Sequence, residues 1–544
     1  MAEAAEVGGP PGARVTVDAR GAVSGEPVRP GSYGDRVVAV EPGGVEFIPA
    51  GDRHGRPLHL AWTWTSPNLE FATIFLGVLA VGVFRLPFWE AVAALVLGNA
   101  LGALSHGLLS ARGPRHGVPQ MVLSRVGFGY WGNVLPAGLN AVAAGIGWFA
   151  VNSVSGAFAL SALTGLPALA ALVIVVLVQV LVAFFGHNLV QAFERYAVIF
   201  LAVVFLAVTV VVLGKAQPGA PADPVPGGFL LVVAATFGYT AGWNPYAADY
   251  TRYLPADTDP RRTGWSAGLG IFASCTVLEI VGAASVTAGA LSSENPVGAF
   301  TALLPGWLAA LTLSAIMLGA VSANVLNIYS GAISFLTLGI RTSLAFRRAL
   351  VAIGFGAVGF LLAWAGLTGA SHKYESFLLV IAYWIAPWLG VTFADIWLRR
   401  GQPVAHLFYD TGHRNWAGPV AMLVGIAVSV PLFSNQTAFT GVVAAHFPGL
   451  GDVVCLVGFG VAAAVYAALF RLARAGSAGA RDGSGGAGDG SAGAGDGSAG
   501  AGDGSAGAGD GSAGAGDGFG GAGDGSAGAG DGSAGARDGS PIAD

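Results

Sequence analysis

The sequence predicts an all-α integral membrane protein whose body crosses the bilayer twelve times. Three observations lead to this prediction. Of the 544 residues, 54% are apolar types and only 10% are charged, whereas soluble globular domains carry about 25% charged residues. Apolar segments follow one another through the middle of the chain, and several are near the roughly 20 residues that a spanning helix needs. Basic residues gather in alternate connections between these segments, which is typical of cytoplasmic loops.

Composition divides the chain into three regions. Residues 1–55 are rich in Gly, Pro and charge, and they predict a flexible cytosolic arm. Residues 56–474 form the membrane body. Residues 475–544 repeat the unit Asp-Gly-Ser-Ala-Gly-Ala-Gly, most regularly from Asp489 to Asp517, where no large apolar residue occurs. Because such a composition buries too little apolar surface to fold, we expect a disordered tail.

The net charge of −5 conceals a difference between the tail and the rest of the chain. The tail holds ten Asp and two Arg, so the preceding 474 residues carry a net charge of +3. These residues contain no basic block, which argues against a nucleic-acid partner. Cys275 and Cys455 lie in apolar runs and predict neither a disulfide framework nor a metal site. We therefore expect no cofactor, and no obligate protein partner is indicated.

Twelve apolar segments are the candidate spans. They lie near residues 61–84, 88–110, 133–160, 166–186, 191–214, 228–248, 265–290, 304–330, 348–367, 374–398, 417–434 and 450–471. With the N-terminus inside, fifteen arginines fall on the cytosolic side, and Arg85, Lys215 and Lys373 fall outside. The positive-inside rule then predicts a multi-pass protein of the plasma membrane with both termini in the cytoplasm.

Two of the predicted spans contain a helix-breaking sequence. The first has Ser66-Pro67-Asn68, and the sixth has Gly242-Trp243-Asn244-Pro245. These spans are five apart, as expected if each opens one half of a five-plus-five repeat. Paired interruptions of this kind indicate a substrate site near the middle of the membrane in secondary transporters. The alternative is a pair of unrelated proline kinks, which are common in membrane helices.

Aromatic and amide side chains at the same depth suggest the chemistry of the ligand. Trp148 lies mid-span directly after Gly145-Ile146-Gly147, and Trp243 lies at the second break, so two indoles could hold a planar heterocycle by stacking. Asn152 follows Trp148 by one turn, and Asn324 and Asn327 are three residues apart in the eighth span. Carboxamides match the donors and acceptors of a nucleobase edge. Core packing and helix–helix hydrogen bonds are the alternatives.

Ionisable residues inside spans are functional candidates by default. Glu70 follows the first break, and Glu279 lies deep in the seventh span, with no Lys or Arg near it in sequence. We expect Glu279 to take part in proton coupling or, as a neutral group, to join two helices. Asp249 and Arg252 are three residues apart at the end of the sixth span, where they predict a structural or gating pair.

The segment from Gly242 to Pro255, GWNPYAADYTRYLP, resembles the signature of the purine–cytosine permease branch of the nucleobase–cation symporters. Gly147-Trp148-Phe149 and the approach VEFIP at residues 45–49, with Asp52-Arg53, are similar to that family too. The resemblance covers about residues 40–472 and leaves out the tail. It implies a LeuT-type inverted repeat with two extra helices, working by alternating access on cytosine or purines with Na⁺ or H⁺.

The resemblance also implies roles for individual residues. Those matching the family's substrate site are Trp148, Asn152, Trp243, Asn327 with Asn324 beside it, and Ser66 or Asn68. Sodium-coupled members build a cation site from first-span carbonyls and eighth-span hydroxyls. Ser322 supplies one hydroxyl here, but Val321 stands where a second is expected. This departure favours protons over sodium, with Glu70 and Glu279 as coupling candidates.

Three other functions are weighed against a cytosine or purine symporter. A symporter for another planar heterocycle, such as a hydroxymethylpyrimidine, allantoin, a hydantoin or a vitamin, fits the same residues. An integral membrane enzyme would need a nucleophile–base pair or a metal cluster at membrane depth, and His106, His116 and His187 lack that spacing. A passive channel would need no coupling residue.

Overall fold

A computed structural model describes residues 6–8, 14–17, 23–25, 44–184, 187–290, 295–339, 344–367, 370–436 and 438–484. The chain divides into two compact units, Met1–Arg481 and Asp482–Asp544. Residues 485–544, which make up most of the predicted tail, lie outside the described residues, as do Arg341 and most of the first 43 residues.

Helices dominate the described part of the chain. They are α1 (Pro57–Thr65), α2 (Phe71–Gly82), α3 (Phe88–Ser110), α4 (Gly113–His116), α5 (Gln120–Phe128), α6 (Val134–Val142), α7 (Phe149–Thr164), α8 (Ala168–Phe184), α9 (His187–Lys215), α10 (Gly228–Ala241), α11 (Ala247–Thr251), α12 (Pro260–Thr287), α13 (Pro296–Thr301), α14 (Gly306–Leu336), α15 (Leu344–Gly366), α16 (Ala370–Leu398), α17 (Ala417–Phe433), α18 (Val442–His446) and α19 (Val454–Ser484). The prediction of a helical chain is confirmed for this body.

The N-terminal arm contains a small sheet that the sequence analysis did not predict. Strands β1 (Glu6–Gly8), β2 (Arg14–Val17) and β3 (Val23–Gly25) pair antiparallel in that order. Val7 pairs with Val15, and Val15 with Gly25. The valines in these short runs favour extended backbone, and Gly and Pro separate the runs. These residues of the predicted flexible arm are therefore extended and paired.

The predicted boundary at residue 55 also differs from the structure, because residues 44–54 pack on the membrane body. Phe47 and Ile48 are fully buried. The Arg53 guanidinium donates to the carbonyls of Ile48 (2.8 Å) and Pro114 (2.6 Å) and covers the Phe47 ring. Burial lowers the pKa of Arg53 to about 10, so it stays charged at neutral pH. This cation fixes the approach to α1.

Seven helices in the described residues are long and apolar enough to cross a membrane. They are Phe88–His116, Val134–Thr164, Arg195–Lys215, Pro260–Thr287, Gly306–Leu336, Lys373–Leu398 and Val454–Ala475. The pair Pro57–Asn68 and Phe71–Gly82 passes the same test together, with a bend of 61° between them. Ala168–Leu181, Ile353–Gly366 and Ala417–Phe433 are shorter apolar helices. The count of twelve spans remains a prediction.

Both predicted helix-breaking sequences interrupt regular α-helix. After α1, a 3₁₀ turn covers Ser66–Asn68 and the chain is extended at Glu70 before α2 begins. After α10, a second 3₁₀ turn, Asn244–Tyr246, precedes the five-residue α11. Pro67 and Pro245 lie in these turns, where proline removes a backbone donor and prevents a regular helix from continuing. Peptide groups freed in this way need partners inside the protein.

Small residues let the interrupted spans approach their neighbours closely. A Cβ atom on Gly77 of α2 would lie 1.7 Å from the carbonyl oxygen of Glu279 in α12. A Cβ atom on Gly282 of α12 would lie 1.8 Å from the carbonyl oxygen of Ile74 in α2. Larger side chains at these positions would separate α2 from α12. At the other end of the chain, α19 continues to Ser484, beyond the predicted start of the tail at residue 475.

Candidate substrate site

The site is built around the two interruptions, which a single hydrogen bond connects. Nε1 of Trp243 donates to Oδ1 of Asn68 over 3.0 Å. Asn68 is fully buried, and its Nδ2 donates to the carbonyl of Trp64 at 2.7 Å. That carbonyl belongs to the last turn of α1, where carbonyls have no partner within the helix. Asn68 therefore closes the end of α1 and positions the Trp243 indole.

Trp148 lies at the end of a π-helical turn, Ala143–Trp148, that leads into α7. Such turns are rare in proteins, and those that do occur are frequently found at functional sites. The indole makes edge-to-face contacts with Tyr239 of α10 and Phe377 of α16, at centroid distances of 5.3 and 5.0 Å. A Cβ on Gly242 would lie 3.2 Å from its Nε1, so Gly242 leaves room for this indole beside the second interruption.

The three predicted asparagines form one cluster between α7 and α14. Nδ2 of Asn152 donates to Oδ1 of Asn324 over 3.1 Å, and Nδ2 of Asn327 reaches the same oxygen at 3.4 Å. Nδ2 of Asn324 is held by the carbonyl of Phe149 (2.9 Å) and the hydroxyl of Ser153 (3.1 Å). All three amides are buried. Asn324 is thus the anchor, and the other two amides are oriented by it.

Asn152 is distinguished from its neighbours by a vacant acceptor. Its Oδ1 is buried and has no hydrogen-bond partner within the protein. By contrast, Oδ1 of Asn327 accepts from the hydroxyl of Tyr246 at 3.3 Å. A buried carbonyl oxygen without a donor is costly, so a ligand N–H that reached Asn152 would relieve that cost. Asn152 lies one turn beyond Trp148, as the sequence predicts.

The two predicted serines meet beside the first interruption. Oγ of Ser66 lies 3.2 Å from Oγ of Ser322 in α14, and both side chains are fully buried. The contact brings together two hydroxyl oxygens and the irregular backbone of the first span, and oxygen ligands suit hard cations. Val321 offers no third hydroxyl at the neighbouring position. No group of three or more His, Cys, Asp or Glu side chains in the described residues could hold a metal ion.

The two intramembrane glutamates lie in different networks. Glu70 accepts a hydrogen bond from the Tyr239 hydroxyl at 3.3 Å, next to the aromatic contacts of Trp148. Glu279 accepts from Nδ2 of Asn99 at 2.5 Å, and Asn99 in turn accepts from the hydroxyl of Thr240. This second network joins α12, α3 and α10. Both carboxyl groups are at most 1% exposed.

Asp249 and Arg252 are buried at the end of the sixth-span segment. Oδ1 of Asp249 accepts from the backbone N–H of Gln120 at 2.9 Å, at the start of α5. The Arg252 guanidinium donates to the carbonyl of Gly44 (2.7 Å) and to the hydroxyls of Tyr253 (3.1 Å) and Tyr329 (3.3 Å). Both residues therefore connect α11 to other parts of the body.

A cavity of about 520 Å³ opens on one side of this cluster. Its wall includes Phe71 at the start of α2, Gly147 beside Trp148, and Phe377, and it extends towards Pro296 and Lys373. The Phe377 ring lines the cavity and makes edge-to-face contact with the Trp148 indole. The cavity thus adjoins the Trp148 side of the cluster through Phe377.

Sequence reasoning missed several partners of these residues. Tyr239 and Tyr246 contact the predicted tryptophans, and His106 packs edge-on against Trp64 at 4.3 Å. Asn99 is a polar amide inside an apolar segment. The reasoning that selected Asn152 as a candidate could therefore have selected Asn99 as well. Tyrosine and histidine are ordinary in helix cores, so nothing in the sequence distinguishes the others.

Comparison with known proteins finds similar sequences over most of this chain. The sequence model of one family, described as permeases for cytosine/purines, uracil, thiamine and allantoin, matches residues 47–458. The purine-cytosine permease fcyB of Emericella nidulans is 29% identical over 498 residues, which cover 85% of this chain and 96% of that protein. The purine-cytosine permease FCY2 of Saccharomyces cerevisiae is 27% identical over 417 residues, 71% of this chain and 76% of that protein.

Among solved structures, Mhp1 is similar over most of its length. Mhp1 is a nucleobase-cation-symport-1 family transporter, solved in a closed conformation with bromovinylhydantoin bound. The TM-score is 0.63 at 19% identity, and the match covers 80% of this chain and 95% of Mhp1. At this identity the likeness shows the fold, which is the LeuT-type membrane fold.

Proposed function

The chain belongs to the family of permeases for cytosine/purines, uracil, thiamine and allantoin, and from that premise we propose that it imports cytosine or a related base by symport. It is a multi-pass membrane protein, and its relatives are permeases rather than enzymes. In this proposal the substrate is taken up by alternating access, with H⁺ or Na⁺ as the coupling ion.

The observation that carries the proposal is the vacant acceptor of Asn152 beside an aromatic and amide cluster. Trp148 and Trp243 offer ring surfaces for a flat ligand, and Asn152 offers its unpaired Oδ1 to a ring or amino N–H. Asn324 orients both Asn152 and Asn327, and Asn68 positions Trp243. None of these side chains is charged. A neutral planar base therefore fits better than an amino acid or an ionic substrate.

The cavity supports a route for the base to this cluster. In the proposed topology, with both termini in the cytoplasm, Lys373 and α13 lie on the outer side, so the 520 Å³ cavity faces outward. A base entering it would meet Phe377 before Trp148. Movement of the Phe377 ring would admit the base, and rearrangement of the two interrupted spans would then open the opposite side.

For the coupling ion we favour protons. Glu279 is buried in hydrogen-bond contact with Asn99, whose other amide atom is engaged by Thr240 of the sixth-span helix α10. A proton change at Glu279 would therefore act on the helix that leads to Trp243. Glu70, in contact with Tyr239, is a second candidate. The alternative ion is Na⁺ beside Ser66 and Ser322, where two hydroxyls meet.

A second substrate class has support in the family description. Allantoin and thiamine stand beside the bases in that description, and the ligand bound to Mhp1 is a hydantoin. We therefore include other planar heterocycles, such as a hydroxymethylpyrimidine, allantoin, a hydantoin or a vitamin. Thermal stabilisation of the purified chain by each compound of a panel, with cytosine and purines included, tests the choice. Cytosine or a purine should stabilise the chain most, and stabilisation by a hydantoin or vitamin alone would replace the first candidate.

A further inference from the structure

A second cleft lies where α1 and α12 begin, and it shares no lining residue with the cavity beside Phe377. Its volume is about 530 Å³. Arg56 and Leu58 line it at the start of α1, and Arg261, Arg262 and Trp265 line it in the first turns of α12. The transport function proposed above makes no use of this cleft.

The cleft carries an excess of positive charge. Three guanidinium groups line it, from Arg56, Arg261 and Arg262. The neighbouring carboxylate of Asp259 lies 3.7 Å from Arg262 and caps the backbone N–H of Arg261 at 2.8 Å. The Arg262 and Asp259 side chains are 81% and 49% exposed, so this pair binds weakly and can rearrange. One carboxylate against three cations leaves the cleft suited to an anion.

An apolar stripe continues from the arginines along α12. Trp265 is 68% exposed, and Leu269, one turn further on the same helical face, is 52% exposed. Leu58 of α1 is exposed beside them. On a membrane-crossing helix such a face contacts lipid chains, and tryptophan favours the level of the headgroups. The cleft is therefore charged where headgroups lie and apolar where acyl chains lie.

We propose that this cleft binds an anionic phospholipid. Its phosphodiester contacts Arg56, Arg261 and Arg262, and an acyl chain follows Trp265 and Leu269. Basic pockets between membrane helices bind anionic headgroups in this way, and arginine's planar fork matches phosphate oxygens. A free phosphate would use the arginines but leave the apolar stripe without a role, so the geometry favours a lipid.

The bound lipid would hold the start of α1 against α12. These helices already touch deeper in the membrane, where the Thr65 hydroxyl donates to the carbonyl of Gly270 at 3.2 Å. Arg56 and Arg261 belong to different helices, so one phosphodiester between them connects the first interrupted span to its neighbour. The inference goes beyond the proposed function and does not depend on which substrate is carried.

The test is a thermal unfolding titration of the purified full chain in detergent. Phosphatidylglycerol should raise the unfolding temperature, whereas phosphatidylcholine with the same acyl chains and inorganic phosphate should not. In the triple variant Arg56→Gln, Arg261→Gln and Arg262→Gln, the half-maximal phosphatidylglycerol concentration should rise by about tenfold or more. The triple change to lysine should retain part of the response, because it retains the charge.

Arg414→Gln is the matched control, because Arg414 is exposed and lies outside the cleft. It removes one guanidinium charge, as each of the three cleft substitutions does, and should leave the response unchanged. An equal response to phosphatidylcholine would overturn the proposal, and so would an unaltered response in the triple glutamine variant. If inorganic phosphate alone reproduced the shift, the site would bind a free anion and the lipid proposal would be wrong. None of these results depends on transport of a base.

Discussion

The indole N–H of Trp243 donates a 3.0 Å hydrogen bond to the side-chain oxygen of Asn68, and so joins the interruptions of two separate spans. The same asparagine uses its Nδ2 to bind the carbonyl of Trp64 at the end of α1. The Asn68 amide thus gives a hydrogen-bond partner to a backbone carbonyl at the end of α1, and it also orients an aromatic ring of the candidate site. The same side chain therefore supports both the fold and the candidate site.

A double-mutant cycle should detect this connection. Trp243→Phe retains an aromatic ring but loses the donor, and Asn68→Leu removes the acceptor. We expect their effects on the free energy of unfolding to be non-additive by about 0.6–1.7 kcal/mol, the range of hydrogen bonds between membrane helices. Trp265→Phe, at an exposed position of α12, should be additive with Asn68→Leu. Additivity of the first pair would mean that the bond contributes nothing in the membrane.

Asn152→Ala should weaken base binding more than it weakens the fold. The substitution removes the vacant acceptor, while Asn324 keeps its bonds to Phe149 and Ser153. We expect the Kd for cytosine, measured by ligand-induced thermal stabilisation, to rise about tenfold or more. Asn435→Ala is the control, since Asn435 makes its bonds to Asp452 and Thr440 through the backbone. An unchanged Kd in Asn152→Ala would remove this residue from the site.

Gly147→Ala should disturb the passage between the cavity and Trp148. A Cβ at position 147 would lie 2.4 Å from the Phe377 ring, so the ring must move. We expect slower cytosine binding in stopped-flow fluorescence, and partial recovery when Phe377→Leu is added, because leucine leaves room. Gly214→Ala meets no neighbouring atom within 4 Å and should be neutral. Equal binding rates in all four proteins would show that Phe377 does not control access.

Glu279→Gln should uncouple transport from protons. Glutamine still accepts from Asn99 but cannot release a proton, so exchange of labelled for unlabelled base should continue while accumulation against a gradient is lost. Exchange and accumulation are both measured at external pH values from about 5.5 to 8. Glu90→Gln, in the exposed first turn of α3, should behave as wild type. If accumulation in Glu279→Gln follows pH as before, another group such as Glu70 must carry the proton.

The two interruptions around which the candidate site is built could be predicted from the sequence, because helix breaks in a membrane have few causes. Pro67 and Pro245 interrupt apolar runs, and the bend between α1 and α2 follows at the first of them. Asn152, Asn324 and Asn327 could be grouped because helical spacing places amides one turn apart on one face. Their mutual hydrogen bonds then depend on how α7 meets α14, which no local pattern encodes.

The parts that escaped prediction depend on tertiary contacts. Residues 44–54 look irregular in sequence, but Phe47 and Arg53 are fixed by partners such as Pro114, sixty-one residues away from Arg53. The contact of Ser66 with Ser322 joins residues 256 positions apart. The three strands near the N-terminus are only three or four residues long. The Gly and Pro residues around them therefore led to the prediction of a flexible arm. Long-range contacts decided the first two cases, and local pairing decided the third.

Cytosine uptake into proteoliposomes tests the central claim most directly. The purified full chain should concentrate labelled cytosine several-fold when the lumen is made alkaline, with Na⁺ equal on both sides, and Asn152→Ala should abolish the accumulation. A second arm imposes a Na⁺ gradient at clamped pH and identifies the ion if the first arm fails. Cytosine or another base that only equilibrates across the membrane under both gradients, or does not enter at all, would contradict the account.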